Sequence, residues 1–142
     1  EDPWAEADRY HTLLTEHPLD VCILGIGENG HIAFNDPPVA DFNDKKFVKV
    51  VELDQVCRMQ QVHDGCFASI DQVPTHALSA TIPGLCAAKY MFCSVPASTK
   101  ALAVKHTVED AVSTACPATI LKEQLHACLY TDKDAGQYLL DK

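Results

Sequence analysis

Hydrophobic and polar positions along this chain change period every ten to twenty residues. Asp2 and Pro3 suit the cap and first position of a helix. Trp4, Tyr10, Leu13 and Leu14 then recur at helical spacing until His17-Pro18 stops the run. Residues 20–26 (DVCILGI) form a continuous apolar stretch between a proline and a glycine, the pattern expected of a strand buried on both faces of a parallel sheet. Residues 25–38 are a glycine- and proline-punctuated loop. Residues 47–53 (FVKVVEL) predict a second strand, and Asp54 a helix to about His63, closed by Gly65. A weakly alternating strand is expected over 75–82, then a turn at Pro83-Gly84 and a short helix to Ala88. Another buried strand is expected over 90–95 (YMFCSV), and Ser98 is expected to cap a helix running to about Val108. Residues 117–123 read as helical, 127–130 as a strand, and 132–140 as a closing helix.

Strands alternating with helices predict an α/β layered fold with a largely parallel sheet flanked by helices. There is no repeat, low-complexity tract or linker, so residues 1–142 are expected to form one unit. In such sheets, ligands bind beyond the carboxyl ends of strands, where the loop after residues 20–26 lies.

Composition narrows the classes. Hydrophobic residues make up 47% and charged residues 22%, which excludes a disordered tail or a coiled coil. No apolar run approaches the ~18–20 residues of a membrane helix, so no membrane partner is expected. The formal net charge of -9 lacks the basic footprint of a nucleic-acid binder. The first residues show no secretory signal and no initiator Met, so the chain is expected to begin inside a longer one. The seven cysteines are an odd number with no CxxC, and Cys22, Cys93 and Cys128 sit in apolar runs. Free thiols in a reducing cytoplasm are expected. His63/Cys66 and His126/Cys128 could ligate metal, but they lack the paired spacing of structural zinc sites, so no metal is expected.

The chemistry concentrates in the loop GIGENGHIAFNDP. Gly25, Gly27 and Gly30 match G-x-G-x-x-G after a strand. Pro37-Pro38 leaves little room for the helix a dinucleotide site needs, so the glycines are expected to allow tight turning and close approach to a ligand, and no cofactor is expected. Glu28, Asn29, His31, Asn35 and Asp36 crowd the same loop. A histidine can take and return a proton near neutrality. Asp36 or Glu28 could hold its second ring nitrogen; equally, His31 could pack in a turn whose hydrogen bonds come from Asn35 and Asp36.

The loop resembles the signature of the glucosamine-6-phosphate deaminase/isomerase family. Val73-Pro74-Thr75-His76-Ala77-Leu78 resembles the family's V-P-x-x-A-L segment, and Ser98-Thr99-Lys100-Ala101-Leu102-Ala103 its S-x-K-A-x-A segment. The resemblance covers nearly the whole chain, as the C-terminal portion of a family member. It implies a Rossmann-like fold, here an incomplete domain, and conversion of glucosamine 6-phosphate and water into fructose 6-phosphate and ammonia. It implies His31 as the ring-opening acid/base, oriented by Asn29 and Asp36, and Lys100 as a substrate-phosphate ligand. Asp36 stands where the family usually has Glu, and Asn29 where an acidic residue is usual. The family's phosphate-binding arginine falls at Gln61, and Arg58, one turn earlier, is the candidate substitute. The family's phosphate loop and isomerisation base lie upstream of this segment, so the chain alone is expected to lack that base. The implied partner is a small sugar phosphate, and a homo-oligomer is compatible. Two alternatives stay open: a non-catalytic sugar-phosphate binder, and a lactonase-type hydrolase of the 6-phosphogluconolactonase kind, although those enzymes typically carry a G-H-T-A-S type loop.

Overall fold

A computed structural model describes residues 2–139. Helix α1 spans Pro3–Glu16, and the Asp2 carboxylate accepts the amides of Trp4 and Ala5 at its start. Strand β1 (Val21–Leu24) leads into the glycine loop. Strand β2 (Val48–Glu52) is followed by helix α2 (Gln55–His63), strand β3 (His76–Ala80) and the short helix α3 (Ile82–Cys86). Strand β4 (Tyr90–Val95), helix α4 (Ala101–Glu109) and strand β5 (Ala127–Thr131) complete the order. Short 3-10 turns lie at Ile70–Gln72, Ser98–Lys100 and Pro117–Glu123.

The expected α/β architecture is present. β1, β4 and β5 form a parallel sheet in the order β1-β4-β5, with Val21 opposite Tyr90 and Met91 opposite Ala127. β2 and β3 stand apart as an antiparallel pair, Val48 opposite Ala80 and Glu52 opposite His76. The main core lies on one face of the parallel sheet, where Cys22, Met91, Cys93 and Val95 pack with Ala103, Val104, Ile120 and Leu121. A smaller cluster of Val51, Leu53 and Cys57, with Phe34 and Val39 against it, joins β2 and α2 to the glycine loop.

Three expectations are corrected. β1 is not buried on both faces: Cys22 is buried, but Val21 and Ile23 on the opposite face are 47% and 79% exposed. The pattern of apolar residues on both faces is real, but among the described residues nothing packs on the second face. The closing helix is also absent. Residues 133–139 are turns: Asp132 caps a single turn, accepting the Ala135 amide on its carboxylate and the Gly136 amide on its carbonyl, and Gly136 disfavours continuing it as a helix. The helix expected from the sequence extends to residue 140, which lies outside the described residues. Ser98 begins a 3-10 turn rather than capping α4 with its side chain.

Candidate active site

The glycine loop leaves β1 at its carboxyl end, as the sheet rule requires. Two of its glycines are set by space. The His31 imidazole lies flat against Gly27, where an added Cβ would sit 1.9 to 2.3 Å from the ring atoms Cε1, Nδ1 and Nε2. Gly30 has φ of +81°, and a Cβ there would come within 2.5 Å of the Cys116 sulfur. Gly25 meets only the Ser94 carbonyl oxygen, at 3.5 Å from an added Cβ, an ordinary contact.

His31 is 8% exposed and Asp36 fully buried. The His31 Nδ1 lies 2.6 Å from the Asn29 Oδ1 and 3.1 Å from the Asp36 Oδ1. The Asn29 amide orientation follows from its partners. Its Nδ2 faces two carboxylate oxygens, Asp36 Oδ1 and Asp54 Oδ2, each at 3.2 Å, and both can only accept when ionised. The Asn29 oxygen therefore faces His31, where it also accepts the His31 amide at 3.0 Å. With acceptors on that side, Nδ1 carries the proton, and in the neutral ring Nε2 carries the lone pair. The imidazole is thus held in a basic tautomer.

Asp36 is fixed in turn. Its second oxygen accepts the Asp54 amide at 2.9 Å. Burial pushes its carboxyl up, but hydrogen bonds from His31, the Asp54 amide and Asn29 outweigh burial and hold it below the usual carboxylate range. Asp54 makes no side-chain cap bond to α2; it serves Asn29 instead. Of the two carboxylates left open as the His31 partner, the structure selects Asp36. Glu28 points to His63, 3.7 Å away, and its amide donates to the Gln60 side chain at 2.9 Å. Asn35 also proves structural: its Nδ2 donates to the carbonyls of Ile32 and Ala80 at 2.9 and 2.8 Å, tying the loop to β3.

Lys100 reaches the same loop from the other side. Its Nζ donates to the Ile26 carbonyl at 2.9 Å, one residue from the glycine beneath His31. Arg58 goes elsewhere: one terminal nitrogen donates to the carbonyls of Ile70 and Val73 at 2.8 and 3.0 Å, bracing the 3-10 turn after α2. It lines a surface cavity with Pro38, Glu52 and Asp54 that includes neither His31 nor Lys100. Gln61 has a buried side-chain nitrogen without a hydrogen-bond partner.

Comparisons with known proteins find similar sequences and folds over nearly the whole of this chain. A glucosamine-6-phosphate deaminase of Listeria welshimeri is 36% identical over 138 residues, covering 97% of this chain and 57% of that protein. The deaminase of Bacillus thuringiensis is 38% identical over 130 residues, covering 92% of this chain and 48% of its own length. The chain is related to the glucosamine-6-phosphate deaminases. It spans about half the length of the curated relatives it matches. Among solved structures, a monomeric glucosamine-6-phosphate deaminase superposes with a TM-score of 0.86 at 32% identity, over 94% of this chain and 54% of that one. A 6-phosphogluconolactonase from Trypanosoma cruzi superposes with a TM-score of 0.69 at 15% identity, over 97% of this chain and 52% of its own; that likeness shows the fold alone. No protein-family model matches the chain.

Three contributors beside the deaminase-like loop were not legible in the sequence. Asp54 and Gln60 enter from α2 as partners of Asn29 and of the Glu28 amide. Cys57, buried beside Asp36, has its thiol pushed up to about 12 by burial first, then by the charges of Asp36 and Asp54. No spacing rule links residues 54–60 to residues 28–36; only the packing of α2 on the loop does. No metal was expected, yet the structure gathers His31, Asp36 and Cys57 within one another's reach.

Proposed function

We propose that the chain carries the ring-opening portion of a glucosamine-6-phosphate deaminase, acting on a small sugar phosphate in the cytoplasm without a cofactor. The observation that carries the reading is the convergence of His31 and Lys100 on adjacent loop residues, with the imidazole over Gly27 and the amine on the Ile26 carbonyl. In this reading the lone pair of His31 Nε2 takes the proton from the anomeric hydroxyl of the bound sugar, and the imidazolium returns it to the ring oxygen as the ring opens. Asp36 and Asn29 hold Nδ1–H throughout, and the ionised Asp36 stabilises the imidazolium. Gly25, Gly27 and Gly30 let the sugar approach the backbone, and Lys100 exchanges the Ile26 carbonyl for a substrate phosphate oxygen. Arg58, braced against two carbonyls, is not assigned to the phosphate.

Moving the proton between C2 and C1 needs a second base within about 3 Å of C2, and His31 is committed to the anomeric oxygen. We place that base in the part of the relatives' length that this chain does not span. The test is ammonia release from glucosamine 6-phosphate by the purified 142-residue chain and by a version extended upstream along its reading frame. The extended protein should release ammonia, and the shorter chain should be slower by on the order of 10²–10⁴. Equal turnover would place a complete site within residues 1–142 and overturn the division. Calorimetry with the same sugar phosphate detects the non-catalytic alternative, which binds sugar without ammonia release by either form.

A further inference from the structure

We propose that His31, Asp36 and Cys57 together form a binding site for a thiophilic divalent cation, of which zinc is the type. One ring nitrogen of His31, a carboxylate oxygen of Asp36 and the Cys57 sulfur all lie within 4.8 Å of one another, and all three residues are buried. Tetrahedral zinc holds nitrogen, oxygen and sulfur at about 2.0–2.3 Å, which sets its donors about 3 to 4 Å apart, so small side-chain adjustments close the triangle. The donors are pre-positioned. Asp36 is pinned through its other oxygen by the Asp54 amide, His31 is laid on Gly27 by the loop, and Cys57 is in the first turn of α2.

The donor chemistry selects the ion. A thiol, an imidazole and one carboxylate favour zinc, cadmium or cobalt over magnesium or calcium, which demand oxygen. Charge balances as well: a thiolate and the Asp36 carboxylate offset a doubly charged ion. The Asn29 oxygen, 2.6 Å from His31 Nδ1, is at hand as a fourth donor, and Asp54 holds the amide nitrogen of the same side chain at 3.2 Å, an outer contact of the kind that orients metal ligands. On binding, the Cys57 thiol proton leaves to solvent. The proton on His31 moves from Nδ1 to Nε2, so that the Nδ1 lone pair faces the ion. One proton is therefore released per ion bound. Resting on the ring-opening reading above, one consequence follows: with Nε2 protonated, His31 has no lone pair left for the sugar, and the ion acts as an inhibitor.

Cadmium and cobalt added to the purified chain test the site without reference to turnover, so a failure of the deaminase reading leaves this test intact. A saturable ultraviolet thiolate-to-cadmium band is expected, with a stoichiometry of one ion and one released proton per chain. It should be lost in Cys57→Ser and weakened in Asp36→Asn. It should persist in a double variant, Cys66→Ser with Cys128→Ser, which removes the two exposed thiols. A band that survives Cys57→Ser, or that vanishes with the exposed thiols, overturns the proposal. Should Cys57→Ser fail to fold by circular dichroism, cadmium NMR of the Cys66→Ser, Cys128→Ser double variant decides, because it removes the two exposed thiols that neighbour His63 and His126. One sulfur and one nitrogen ligand support the site, and a resonance without sulfur, or none at saturation, overturns it.

Discussion

At the scale of single residues, the site depends on an absence of atoms. Gly27, unlike Gly30, does not adopt a positive φ, so alanine is compatible with the backbone there; the conflict is with the imidazole, which an added Cβ would penetrate. Gly27→Ala should therefore leave the fold intact and displace His31. Ring opening, read as NMR exchange between the anomers of glucosamine 6-phosphate, should fall on the order of 10²–10⁴, as for His31→Gln. An unchanged exchange rate in Gly27→Ala would remove His31 from the chemistry. A second residue-scale case lies in the loop before β2. The Asp44 carboxylate accepts Lys49 Nζ at 2.7 Å and the Lys46 amide at 3.0 Å. Burial raises its pKa, but Lys49 and the Lys46 amide outweigh that, and the group is held below the usual carboxylate range. A depressed folded-state pKa adds stability above the unfolded value of about 4, lost as pH falls through the folded value. Asp44→Asn should cost about 1 kcal/mol near pH 7, and the difference in urea midpoint should close as the pH is lowered below about 4.

Among the elements, Thr81 shows how one hydroxyl joins two of them. It is fully buried, accepts the Gly84 amide at the start of α3 at 3.1 Å, and donates to the Lys46 carbonyl beside β2 at 2.6 Å. Thr81→Val keeps the shape but leaves both backbone groups unpaired. A cost of about 1–3 kcal/mol is expected for that, measured by urea denaturation. If valine proves neutral, the two backbone groups have found other partners. The antiparallel β2-β3 pair and α2 together press the loop into place. Phe34 donates its amide to Ser79 on β3 at 3.0 Å, and Gln60 on α2 takes the Glu28 amide.

For the whole molecule, the exposed face of the parallel sheet sets the behaviour in solution. Val21, Ile23, Tyr90, Phe92 and Tyr130 are exposed large apolar residues, and the register places Val21 beside Tyr90 and Ile23 beside Phe92. Parallel sheets are almost always covered on both faces, and a contiguous apolar patch drives association. Sedimentation velocity of the 142-residue chain should show concentration-dependent self-association. The pair Ile23→Lys and Phe92→Glu should shift it toward monomer without changing the circular dichroism spectrum. Concentration-independent monomers of the unmodified chain would show that the face is tolerated in water.

The sequence by itself determined the order and kind of nearly every element, because each carries its own local signal. Asp2-Pro3 starts α1, Gly65 ends α2 with φ of +75°, and the apolar run of residues 90–95 matches β4 to its end residues, although it buries alternate residues only rather than the whole strand. It also singled out the loop in which the structure surrounds His31 with polar partners, because the loop glycines and the polar cluster are contiguous. The tertiary structure alone decided which groups serve His31. Asp36 rather than Glu28 faces its ring, Asn29 is oriented by Asp54, Cys57 stands behind Asp36, and Arg58 turns away to two carbonyls. The contacts of Asn29 with Asp54 and of Cys57 with Asp36 join residues about twenty to twenty-five positions apart, and they arise from the packing of α2 on the loop, which no local period encodes. The burial of β1 was beyond the sequence for the same reason. A strand's apolar pattern states what its two faces can accept, whereas occupancy depends on which other segments are there to pack against them.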